Sequence, residues 1–213
     1  MIQIDDAGSG SLLGGTIIGA LRVETNEYIY KAIPLCYYEP KAFQEKRYIA
    51  HVVNIVQDIF EELRVDKNEL IQVCRGYMFE ELNKWLKSNE YNYINTQIEE
   101  PLQSIIEKTF ENYAIELGLP EDFITYTKYP FHFHRILRWV FADFENRSTL
   151  CKTGWKSWAK YSNVELHRGQ ERVKNKDLNC LKCNGIIPCN SQASVLKFYS
   201  NRSYKIFLHN ECI

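Results

Sequence analysis

The chain has 213 residues, 45% hydrophobic and 25% charged, which suits one mid-sized domain or one domain plus a small module, is too short for two full enzyme domains and is far from the composition of a disordered chain. Its apolar runs stay short of the about 18 residues a membrane span needs, and its start lacks a basic n-region, so we expect a cytoplasmic chain with no membrane partner. The formal net charge of -1 hides two halves: residues 1–145 carry 14 Lys and Arg against 23 Asp and Glu, and residues 146–213 carry 12 against 4. The basic half suits an anionic polymer, with a protein partner as the alternative.

Ile2 and Ile4 alternate with polar residues and predict a short strand that ends in the turn Asp5-Asp6-Ala7-Gly8-Ser9-Gly10-Ser11. Residues 15–23 and 27–35 predict two further strands, joined through Thr25 and Asn26 into an antiparallel meander. Apolar residues from Tyr48 to Leu63 recur at three- and four-residue spacing and predict a long amphipathic helix over about 41–64. A strand at 70–74, a helix at 77–87, a strand at 91–98 and a helix from 102 to 117 follow, with Pro101 suiting its start and Gly118 its stop. Residues 131–145 predict one more amphipathic helix.

Two carboxylates beside a permissive glycine-rich loop can hold Mg²⁺ or Mn²⁺ and leave room for phosphate oxygens. Polar strand-to-turn junctions with Asp and Gly are also common for conformational reasons alone. The stretch from Ile4 to Gly14 resembles the Asp-Glu-Ala-Gly-Arg-Gly-Pro-Leu-x-Gly signature of type 2 ribonucleases H, with Asp5, Ala7, Gly8, Gly10, Leu12 and Gly14 matching. Asp6 replaces Glu, and Ser9 and Ser11 depart from Arg and Pro. The resemblance implies an α/β, mixed-sheet ribonuclease H-like domain over 1–120 with the order β-β-β-α-β-α-β-α, and metal binding by Asp5 and Asp6. The same loop also looks like the phosphate-1 loop of sugar kinases and actin, which need a second such domain that this chain lacks.

The family's next carboxylate falls at the end of the fourth strand, where this chain has Val73-Cys74-Arg75-Gly76. A cysteine is a poor ligand for a hard cation. The remaining candidates are Glu45, placed in the first turn of the long helix as in type 1 ribonucleases H, and Glu99 or Glu100, before the helix at 102. Acidic residues at a helix start also stabilise the helix dipole, which is the plainer reading of all three.

Residues 121–178 form a basic, aromatic segment expected to be helical, in which Lys152, Trp155, Lys156, Trp158, Lys160, Arg168, Arg172 and Lys174 suit phosphate neutralisation and base stacking. The three-residue spacing of Trp155 and Trp158 equally suits a helix with both rings in its core. His132 and His134 read as ordinary histidines. Residues 179–213 carry Cys180-x-x-Cys183 and His209-x-x-Cys212, spacings that present two pairs of donors to a tetrahedral zinc ion, with Cys151 and Cys189 as spare ligands. Their apolar content looks too small for a core without a metal staple. Two functions are therefore open: a metal-dependent nuclease acting on phosphodiester bonds of RNA, DNA or a hybrid, or an inactive ribonuclease H-like binding protein with a structural zinc finger.

Overall fold

The alternation at the N-terminus forms β1 (Ile2–Ala7) in a computed structural model, which describes residues 1–125 and 129–213. The chain divides into two compact units, the first comprising Met1–Gly10, Gly14–Leu117 and Lys152–Trp155, the second Ser11–Leu13, Gly118–Cys151 and Lys156–Ile213. Segments 121–178 and 179–213 thus share the second unit, apart from Lys152–Trp155.

In the first unit β1 is followed by β2 (Ile17–Arg22), β3 (Glu27–Ala32), α1 (Pro40–Gln44), α2 (Arg47–Leu63), β4 (Ile71–Cys74), α3 (Glu80–Ser88), β5 (Tyr93–Thr96) and α4 (Leu102–Glu116). The strands form one mixed sheet in the order β3-β2-β1-β4-β5. The first three are antiparallel, whereas β4 runs parallel to β1 and β5 parallel to β4. Ile2, Ile4, Ile18, Ala20, Ile71 and Val73 form a core with Val52, Val56 and Ile59 of α2 and Leu82 and Leu86 of α3. Burial of such side chains, worth about 1.5–3 kcal/mol each, is what holds the helices on the sheet.

α4 lies against β1 and β2, where glycines make the close approach possible. A Cβ at Gly8, whose φ is +81°, would run into the Phe110 ring, and one at Gly19 would lie 3.1 Å from Ile106. The helix expected over 41–64 is broken, because Lys46 adopts the left-handed conformation between α1 and α2.

The second unit contains α5 (Asp122–Thr125), α6 (Phe133–Phe141), α7 (Phe144–Arg147), α8 (Lys156–Tyr161), β6 (His167–Arg172), β7 (Leu178–Asn179), β8 (Ile186–Ile187), β9 (Gln192–Tyr199) and β10 (Ser203–Leu208). An antiparallel sheet in the order β10-β9-β6 corrects two expectations. The segment up to 178 is not purely helical, since it contains β6, and residues 180–213 do contribute a core. Ala193, Val195, Leu196, Phe198, Tyr204, Ile206 and Leu208 are all buried there. Among the described residues no helix is long and apolar enough to cross a membrane. The chain is thus a mixed α+β protein with a five-stranded mixed sheet in its first unit.

Candidate functional site

The first candidate site sits at the C-terminal ends of β1 and β4. Successive residues of a strand face opposite sides of its sheet. Asp5 pairs in register with Gly19, on the face that α4 covers, and Asp6 pairs with Ile18, on the face of α2 and α3. Burial raises the Asp5 carboxyl above its usual range, opposed by hydrogen bonds from the Cys74 thiol and the Asp6 N–H, the latter at 2.8 Å. Burial also pushes Asp6 up to about 6, where the Ser9 hydroxyl holds it down, the Asp5 charge raises it further and Lys152 lowers it. Gly76 marks where these groups converge: a Cβ there would lie 3.7 Å from Asp6 Oδ1 and 4.0 Å from Cys74 Sγ.

Lys152 is the residue whose placement departs most from expectation. It is fully buried in the first unit rather than presented to solvent. Its Nζ donates to the Gly8 carbonyl at 2.5 Å and lies 4.9 Å from the Tyr38 ring centre and 5.5 Å from that of Trp155. Desolvation brings its pKa down to about 7 against the pull of Asp6. The segment is seated by the Gly154 N–H, which donates to Tyr38 O at 2.7 Å, and a Cβ on Gly154 would come within 2.5 Å of Phe43. The Tyr38 hydroxyl, which sequence reasoning missed, bonds Thr16 Oγ1 at 2.6 Å. Gly8 and Lys152 are 144 positions apart, so no local pattern signals their contact.

The other expected acids lie elsewhere. Glu45 caps the end of α1 instead of opening the long helix, and its carboxylate pairs with Arg47 at 2.6 Å in an exposed position. Glu99 and Glu100 are exposed, and Glu100 accepts a hydrogen bond from Ser104. Among the described residues no three carboxylates come close enough to share an ion. Two half-buried carboxylates, a thiol in the third place and a neighbouring ammonium make a donor set that does not fit a pair of Mg²⁺ or Mn²⁺ ions.

Of the remaining basic and aromatic candidates, Lys156, Lys160, Arg168, Arg172 and Lys174 are exposed. Trp158 is buried and stacked on Phe144, and Trp155 is half-buried under Lys152, so the tryptophans pack rather than form an open stacking platform.

The second candidate site is a metal centre. Cys180, Cys183, His209 and Cys212 bring one ligand atom each within 4.8 Å of one another, a cluster that could bind a metal ion such as zinc. A tetrahedral ion with bonds of about 2.3 Å to sulfur and 2.0–2.1 Å to nitrogen suits three thiols and an imidazole. His209 Nδ1 lies 3.2 Å from Cys183 Sγ and 3.9 Å from Cys212 Sγ, while Nε2 is 3.0 Å from the Ile186 carbonyl. An Nε2–H donated to that carbonyl fixes the tautomer that leaves Nδ1 free for metal.

The first knuckle is shaped by Asn184, at φ 60°, and by Gly185, where a Cβ would come within 3.1 Å of the His209 ring. Arg147 braces it, donating to the carbonyls of Leu181 at 2.7 Å and Lys182 at 2.8 Å while its guanidinium stacks on Trp139. The spare cysteines stay outside the cluster: Cys151 is buried, its thiol pushed up to about 12 by desolvation, and Cys189 is half-buried. Searches of protein-family models and of curated proteins returned no match.

Proposed function

We propose that this chain is a nucleic-acid-binding protein with a ribonuclease H-like first unit whose two-metal catalytic set is incomplete, and a second unit braced by zinc. The observation that carries this reading is Cys74: its thiol bonds Asp5 at the end of β4, where the resemblance to type 2 ribonucleases H requires a carboxylate. The strand order β3-β2-β1-β4-β5 supports the fold reading, and the excess of cations in residues 146–213 supports an anionic polymer as partner. Exposed Arg168 and Arg172 on the edge strand β6, with Lys174 beyond it, offer phosphate contacts. Zn²⁺ would be held by Cys180, Cys183, His209 and Cys212 as a closed structural site.

A second reading is a weak nuclease using one ion. It is favoured by the end of β1 carrying Asp5 and Asp6 in succession beside the Gly8–Gly10 turn, near enough for the Asp5 charge to raise Asp6. The test incubates RNA–DNA hybrid, duplex DNA and single strands with wild type and Asp5→Asn in Mn²⁺, scoring both binding and cleavage. Binding without cleavage, weakening steeply with salt, supports the binding protein. Cleavage lost in Asp5→Asn replaces it by the nuclease reading, and absence of both binding and cleavage overturns both.

A further inference from the structure

The second unit holds a cavity of about 360 Å³, within the roughly 300–1,000 Å³ of small-ligand pockets. His132 lines it from the N-cap of α6, Arg135 and Arg138 from the first and last turns of that helix, Asn201 and Arg202 from the turn between β9 and β10, and Tyr204 from β10. Among the described residues that line it there is no carboxylate.

Three guanidiniums are thus gathered with no counter-charge among the described residues. Arg135 gives one N–H to the Phe123 carbonyl at 2.9 Å and stacks 4.4 Å from that ring, and Arg202 lies 5.0 Å from the Tyr204 ring centre. The Arg138 side chain has no hydrogen-bond or ion-pair partner among the described residues, and the buried Nε–H groups of Arg135 and Arg138 both lack an acceptor. Burial pulls Arg138 below the usual arginine range, and repulsion from Arg135 and Arg202 acts in the same direction. Unpaired buried donors and clustered like charges are both costly, and an anion in the cavity relieves both.

The walls also say what kind of anion fits. Arginine presents planar, forked donors that match phosphate or carboxylate oxygens. Three positive charges with no negative one favour a dianion over a carboxylate. Tyr204 is held rigid, stacked on Phe198 with centroids 5.3 Å apart and its hydroxyl bonded to Asn201 at 2.9 Å, so the site is preformed.

We propose that this pocket binds the phosphate monoester of a nucleotide or of a nucleic-acid strand end. The proposal does not rest on the ribonuclease H-like reading, because it uses none of the residues of that site.

The test is titration calorimetry of the full chain with a 5′-phosphorylated trithymidylate, its 5′-hydroxyl counterpart and thymidine 5′-monophosphate. The phosphorylated trimer should bind at least about tenfold tighter than its hydroxyl counterpart, the size of a charge-assisted contact. Arg138→Gln and the exposed Arg202→Gln should each erase that gain, while Lys176→Gln should keep it. A monophosphate that binds as well as the trimer assigns the group to a free nucleotide, and a tighter trimer assigns it to a strand end. No gain from the phosphate, or a gain that survives both arginine changes, overturns the proposal.

Discussion

Replacing Lys152 by Met tests the buried ammonium with little change of shape. A lysine whose pKa falls from 10.5 to about 7 on folding keeps its proton in the unfolded chain while losing it in the folded one across that window. Stability therefore rises with pH there, by up to about 1.4 kcal/mol per unit. Below pH 7 both states are protonated and the net cost of the buried charge, on the order of 5 kcal/mol after the pull of Asp6, is present. Between pH 7 and 9.5 the wild type should gain about 3 kcal/mol relative to Lys152→Met, which has no proton to lose. Asp6 adds with the same sign: without the ammonium its pKa climbs, so the variant loses stability as that carboxyl ionises. The loss of the Gly8 contact, roughly 1 kcal/mol, shifts the difference between the proteins at every pH without changing its slope. Urea unfolding of both proteins at half-unit pH steps measures this directly, and a difference that stays flat from pH 7 to 9.5 would show that Lys152 is not desolvated as described.

Removing metal should release the knuckle at 180–187 and the last few residues while leaving β6, β9 and β10 protected, because that sheet has its own buried side chains. Metal analysis should find about one zinc per chain, and hydrogen exchange after chelation should separate the two regions; uniform loss of protection would refute the separate core. Cys74→Ala removes a donor to the Asp5 carboxylate, so the Asp5 pKa, already raised by burial, should climb further in a carbon NMR titration. A fall would contradict the assigned bond. Gly15→Ala would place a Cβ 2.0 Å from the Ile33 carbonyl oxygen and should cost at least about 1–3 kcal/mol, whereas at Gly10, with nothing within 4 Å, Ala should be nearly neutral. Equal midpoints in urea would count against the close packing at Gly15. If β6 tracks a phosphate backbone, Arg168→Gln, Arg172→Gln and Lys174→Gln together should lower the salt slope of nucleic-acid binding by about two to three, and an unchanged slope would move the interface elsewhere.

What could be read in advance follows from the range of the forces involved. α2 announces itself because Ile49, Val52, Val56 and Ile59 repeat within one helix, and the metal cluster because a two-residue gap fixes each pair of donors locally. β10 carried a legible signal that the metal reading obscured: buried Tyr204, Ile206 and Leu208 alternate with exposed Ser203 and Lys205. β6 carried none, since His-Arg-Gly-Gln-Glu-Arg has no apolar residue and is held as an edge by backbone pairing to β9. A lysine among tryptophans looks the same in sequence whether it meets phosphate or a carbonyl 144 residues away, and only tertiary packing chooses between them. The same holds for the acids: strand alternation assigns Asp5 and Asp6 to opposite faces, but the partner each finds depends on what the neighbouring strand ends with. Cys74 occupies that position, and a thiol that donates to Asp5 uses one of the oxygen sites an incoming cation would need. Any cation offered to this edge would have to displace the Cys74 donor of β4 before both Asp5 oxygens were open to it.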